Sequence, residues 1–129
     1  MEKKEIRTDQ APSPVGPYSQ AVQSGGFIFC SGQVALEPDT GKLMDTDIES
    51  ETKRVMENLK AVLEAAGSSL DHVVKTSIFL RDINDFGRVN SVYASYFKDI
   101  PPARSTIQAA ALPKGAGVEI ECIAQMQKS

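Results

Sequence analysis

At 129 residues the chain is long enough for one domain with one core, and any sizeable ligand cleft has to lie on its surface or between subunits. Apolar residues make up 41% and charged residues 24%, the balance of a folded globular protein rather than a disordered one. A formal net charge of −3, with cations clustered only as Lys3-Lys4 and Lys53-Arg54, argues against a nucleic-acid partner, and no apolar run approaches the roughly 18 residues of a membrane span.

In chain order, the opening Met1-Glu2-Lys3-Lys4-Glu5 has no secretory apolar stretch, so a cytoplasmic location is expected. Residues 2–7 can form a short edge strand. Prolines at 12, 14 and 17 then hold an extended path up to Tyr18. Strands at 19–24 and 27–31 flank the turn dipeptide Gly25-Gly26, and the second runs into Gly32-Gln33. Glu37 to Gly41 reads as a turn. Ile48, Val55, Leu59, Val62, Leu63 and Ala66 recur near a period of 3.6 and predict a helix over 48–66, with Asp47 as N-cap and Gly67 closing its end. The β-formers of 73–80 predict a strand. A second helix is predicted over 84–97, with Phe86, Val89, Tyr93 and Phe97 on one side and Asn84 as cap, stopped by Pro101-Pro102. Two strands follow at about 104–111 and 117–126. In the last, Val118, Ile120, Cys122, Ala124 and Met126 alternate with Glu119, Glu121 and Gln125.

The order β-β-β-α-β-α-β-β points to an α+β arrangement in which two helices cover one face of a sheet. The other face needs a partner, and a symmetric ring of copies would supply it.

Cys30 and Cys122 sit in apolar segments without close spacing, the pattern of buried reduced thiols rather than a disulfide scaffold or a zinc site. His72, the one histidine, lies in a link between helix and strand and reads as a surface residue. Four segments could carry chemistry. Gly16-Pro17-Tyr18-Ser19-Gln20 is a turn with a tyrosine. Ser31-Gly32-Gln33 is a strand end where glycine allows close backbone approach. Asn90 stands mid-helix and could simply be a satisfied polar residue. Arg104 follows a rigid proline pair and opens an apolar strand, so its planar fork is well placed for a carboxylate. On physical grounds alone, a structural salt bridge to an acid such as Glu119 or Glu121 is the readier explanation of Arg104.

Taken together, these segments resemble the RidA (YjgF) family of reactive-intermediate deaminases. The likeness spans nearly the whole of 1–129 and includes Gly16-Pro17-Tyr18-Ser19-Gln20-Ala21, Ser31-Gly32-Gln33, Glu64-Ala65-Ala66-Gly67, Val74-Lys75-Thr76, Asn84-Asp85-Phe86 with Val89-Asn90, Pro102-Ala103-Arg104, and Ala111-Leu112-Pro113-Lys114-Gly115 through Val118-Glu119-Ile120-Glu121. The resemblance implies a single domain of chorismate-mutase-like α+β fold with a mixed sheet, assembled as a homotrimer around a central barrel with clefts between subunits. It implies hydrolysis of 2-enamine and 2-imino acids, such as 2-iminobutanoate and 2-iminopropanoate, to 2-keto acids, without metal or cofactor. Carried over by position, Arg104 binds the substrate carboxylate and Glu119, with the backbone at Thr106, orients the attacking water. Tyr18, Ser31, Gly32 and Asn90 shape the pocket. Many members have cysteine where this chain has Thr106, which puts a thiol-dependent role there in doubt. The competing reading is a non-catalytic trimer that binds small carboxylic metabolites such as 2-ketobutyrate. A ribonuclease role fits poorly with the acidic charge and single histidine.

Overall fold

The computed structural model describes residues 2–127. Its strands are β1 (Lys4–Ile6), β2 (Ala21–Ser24), β3 (Phe27–Gln33), β4 (Val73–Leu80), β5 (Ala103–Gln108) and β6 (Val118–Gln125), and its α-helices are α1 (Ile48–Ala65) and α2 (Phe86–Ala94). The order anticipated from the sequence is the order found. All six strands form one mixed sheet in the order β1-β2-β3-β6-β4-β5, with every neighbour antiparallel except β4 and β5. β5 therefore lies at an edge and touches only β4.

Side-chain alternation decides what each face of the sheet does. Ile78 and Leu80 of β4, Ile120, Cys122 and Ala124 of β6, and Ile28 and Cys30 of β3 point one way and are buried. Val55, Leu59, Val62 and Leu63 of α1, with Val89 and Tyr93 of α2, close over them as the main core. The opposite face carries Phe29, Ser77, Phe79, Glu119, Glu121 and Ile123, and among the described residues no helix covers it, although Phe79 packs at its end against Val34, Leu36, Leu112 and Ala116.

Both ends of α1 follow from local chemistry. Asp47 accepts a hydrogen bond from the Ser50 backbone N–H at 2.8 Å, one of the donors that a helix start leaves unpaired. At the other end Gly67 adopts φ +78°, Ser68 N–H reaches Leu63 C=O at 2.9 Å and Gly67 N–H reaches Glu64 C=O, the paired bonds that close a helix through a left-handed residue.

Beyond shifts of a residue or two in the first three strands, the boundaries around α2 and the end of β5 differ from the sequence reading. α2 starts at Phe86, after a 3-10 turn over Ile83–Asp85, and Asp82 rather than Asn84 supplies the capping oxygen, which accepts from the Asn84 N–H at 2.9 Å. α2 ends at Ala94 instead of reaching residue 97, because the Ser95 hydroxyl bonds the Val92 carbonyl and the Tyr96 hydroxyl is drawn across to Glu57 on α1. β5 ends at Gln108 instead of 111. Beyond it Leu112 leaves the sheet to join a small second cluster with Val34, Leu36 and Ala116.

Candidate active site

α2 and β5 together hold the side chain of Arg104. Arg104 is in register with Thr76 of β4, which in turn faces Cys122 of β6, so its side chain rises on the helix-covered face. There it meets α2. Phe86, Asn90 and Tyr93 are spaced so that one side of α2 presents them all, and Phe97, just beyond the helix, packs on Tyr93. Arg104 Nη1 donates to Asn90 Oδ1 at 2.7 Å, and its Cζ lies 5.4 Å from the Phe86 ring centre and 5.1 Å from that of Tyr93. Tyr93 is only 5% exposed, and its hydroxyl pairs with the Thr76 hydroxyl at 2.7 Å. Burial, the largest influence on Tyr93, raises its pKa, so the phenol remains protonated at neutral pH.

The salt bridge to Glu119 or Glu121 is not made. Among the described residues the ion pairs are Arg7–Glu5, Arg88–Glu49 and Arg88–Asp85. Arg104 thus keeps guanidinium donors beyond the Asn90 bond, and it borders a cleft of about 630 Å³ walled by Tyr93, Phe97, Pro101 and Pro102. Another groove, of about 410 Å³, lies between α1 and the loop before it. Glu37, Asp39 and Glu57 face Lys53 and Arg54 there, which leaves no field that favours a carboxylate.

Thr106 shares the Arg104 face, opposite Ile78, and its buried Oγ1 has no hydrogen-bond partner. The remaining candidates gather elsewhere. Glu119 pairs with Phe79 in the sheet and so projects from the uncovered face, away from Arg104. It fills the space in front of Gly32, where a Cβ would stand 2.9 Å from Glu119 Cδ and overlap the carboxylate, so any larger residue there would push the acid aside. Ser31 donates to the Ser19 carbonyl at 2.6 Å and ties the tyrosine loop to β3 beside that glycine. Tyr18 itself is 50% exposed, with its hydroxyl accepting from the Val15 N–H at 3.5 Å. Burial first, and the nearby Glu121 second, raise the Glu119 pKa.

One chain therefore carries two groups of candidate residues, Arg104 with Asn90 and Thr106 on the helix side, and Glu119 with Gly32, Ser31 and Tyr18 on the other. Sequence reading passed over Tyr93, Phe86 and Thr76, which hold the guanidinium. The spacing of the aromatics was visible, but it reads equally as core packing. It also passed over the work of Gln20, whose buried amide bonds Thr8, Ala11 and Pro12 and pins the proline segment. His72 bonds Ser69 through Nδ1 at 2.8 Å. Cys30 and Cys122 are free, buried and directly opposite each other. Among the described residues no cluster of three or more His, Cys, Asp or Glu could hold a metal ion, and no helix is long and apolar enough to cross a membrane.

The profile of the family described as endoribonuclease L-PSP matches residues 8–126. The 2-iminobutanoate/2-iminopropanoate deaminase of Mus musculus is 49% identical, over 95% of this chain and 90% of its own. The chain belongs to the RidA family. A RutC family protein of Pyrococcus abyssi is 49% identical, over 96% of this chain and 98% of its own. The crystal structure of YyfA from Yersinia pestis, described as a conserved Rid protein of unknown function, superposes with a TM-score of 0.95 at 52% identity, covering 97% of this chain and 100% of the other. The RidA fold anticipated from the motifs is thus the fold found, and members of the RidA family differ in whether an activity is attached to their names.

Proposed function

We propose that the protein hydrolyses 2-imino acids and their enamine tautomers, such as 2-iminobutanoate and 2-iminopropanoate, to 2-keto acids and ammonia. The observation that carries this reading is Arg104, held by an amide oxygen beside two aromatic rings, in no ion pair among the described residues and open to a cleft. Such a guanidinium binds a small carboxylate through its remaining donors. The mouse relative's name supports the same chemistry.

The reaction asks little of the protein. The iminium carbon is already electrophilic. Water adds to it, the C=N π electrons pass to nitrogen, and the resulting carbinolamine loses ammonia as the C=O bond forms. Overall, iminium and water become keto acid and ammonium. Arg104 fixes the carboxylate, and water held near the carbon by Glu119 and the Thr106 backbone removes the cost of orientation. Glu119 takes the proton from that water. A carboxyl whose pKa is raised by burial is the better matched to this task near neutral pH. Asn90, Tyr18, Ser31 and Gly32 shape the pocket walls.

Because Arg104 and Glu119 leave opposite faces of one sheet, the complete set requires two copies of the chain. The proposal therefore includes a homotrimer with a cleft at each interface, acting in the cytoplasm. The uncovered sheet face, with Phe29 45% exposed and Ile107 54%, offers the surface for such packing. The same opposition of faces favours a second reading, a binding protein that uses the Arg104 corner without turnover. RNA cleavage is disfavoured by the net charge of −3.

Addition of the protein to a threonine dehydratase assay should accelerate 2-ketobutyrate release, and Arg104→Ala should abolish the acceleration, a loss of about 100-fold or more. A wild type that binds 2-ketobutyrate and leaves the decay of the imine unchanged would replace this reading with the binding one.

A further inference from the structure

We infer that Tyr93, anchored by Thr76, is a positioning residue that sets the orientation of the Arg104 guanidinium, an assignment that rests on the carboxylate-binding role of Arg104 proposed above. The contacts form a closed loop. The Arg104 backbone lies beside Thr76 in the β4–β5 pairing. The Thr76 hydroxyl bonds the Tyr93 hydroxyl at 2.7 Å. The Tyr93 ring returns to the guanidinium, 5.1 Å from Cζ. Thr76 is 1% exposed and Tyr93 5%, so water does not compete for their bond.

Each side of this loop removes a freedom that the others leave. Strand register fixes the height of Arg104 but not its torsions. Asn90 holds one guanidinium nitrogen, about which the plane could still turn. The Tyr93 ring, with Phe86 also close to the guanidinium, supplies a surface against which the group is held. That ring needs a fixed tilt of its own. The hydroxyl bond to Thr76 on one side and the Phe97 ring at 4.9 Å on the other provide it. A bidentate carboxylate clamp depends on the plane of the fork, so the hydroxyl of Tyr93 acts on the ligand through Arg104 without touching it.

The test compares Tyr93→Phe, Thr76→Val and Tyr93→Leu with wild type in three readouts. These are 2-ketobutyrate affinity by calorimetry, steady-state kinetics in the coupled imine assay, and solvent exchange of the Arg104 Nε–H by NMR. Tyr93→Phe and Thr76→Val remove only the bond and keep the packing. Each should weaken 2-ketobutyrate binding by about fivefold, raise KM similarly, leave kcat within about twofold, and speed the Nε–H exchange. Tyr93→Leu should weaken binding by about tenfold or more. In an Arg104→Lys background, Tyr93→Phe should add no more than about a twofold further loss, because its effect passes through the guanidinium. Unchanged KM and unchanged Arg104 exchange in folded Tyr93→Phe and Thr76→Val would overturn the assignment. If instead wild type neither binds 2-ketobutyrate nor accelerates imine decay, the functional reading has failed, and the Nε–H exchange alone still decides whether Tyr93 orients Arg104.

Discussion

A guanidinium that lies 5.1 and 5.4 Å from two aromatic ring centres and bonds an amide oxygen has one donor engaged inside the protein and further donors beyond it. That arrangement distinguishes Arg104 from an arginine in a structural ion pair, and the sequence did not contain it. The residue type and its proline-stiffened approach were legible. The choice between clamp and salt bridge was not, because it depends on which face Glu119 and Glu121 occupy relative to Arg104. Alternation within β6 was plain to see, but the relative phase of β5 and β6 is set through β4, which lies between them. Glu119 carries a consequence for stability. Its pKa is raised in the folded state by burial and by Glu121. The folded protein therefore binds that proton more tightly than the unfolded chain does, and the stability this contributes at low pH is lost as pH rises through the raised value. Glu119→Gln should melt at a higher temperature than wild type at pH 8 and at the same temperature near pH 4, while losing imine hydrolysis. Melting curves across that range, beside the coupled assay, check both parts.

Helix and strand interiors were readable because their signals are local. The stripe from Ile48 to Ala66, the cap at Asp47 and the left-handed stop at Gly67 each depend on neighbours a turn away. The ends that were misplaced depend on distant groups. α2 stops short because Tyr96 is tethered to Glu57 on α1, and β5 stops short because Leu112 is drawn to Val34 and Leu36. The Asp47 cap makes a test of sign opposite to that of Glu119. Hydrogen bonds from Ser50, first from its backbone and then from its side chain, hold the Asp47 pKa below the usual carboxylate value. Its contribution is present above the ordinary pKa and is lost as pH falls through the depressed one. Asp47→Ala should lower the melting temperature at pH 7, and the gap should close as the solution is acidified below the usual carboxylate range.

Over the whole molecule, two groups of candidate residues that never share a face make a prediction which single-site variants cannot. Arg104→Ala and Glu119→Gln should each be inactive alone. Unfolded together and refolded as a mixture, they should recover about a quarter of wild-type activity, the fraction of interfaces at which an intact Arg104 meets an intact Glu119. Recovery of nothing would place both groups in the service of one chain and remove the shared cleft.

The clamp has a further property that follows from the single parallel pairing in the sheet. Thr76, Phe86, Asn90, Tyr93 and Arg104 all lie on the one crossover that runs from β4 through α2 to β5. Everything proposed to grip the acid group is therefore encoded in one unbroken stretch, whereas Tyr18, Gly32 and Glu119 are scattered over the rest. Selection could exchange that stretch as a cassette, retuning the proposed anchor while leaving the Glu119 wall as it was.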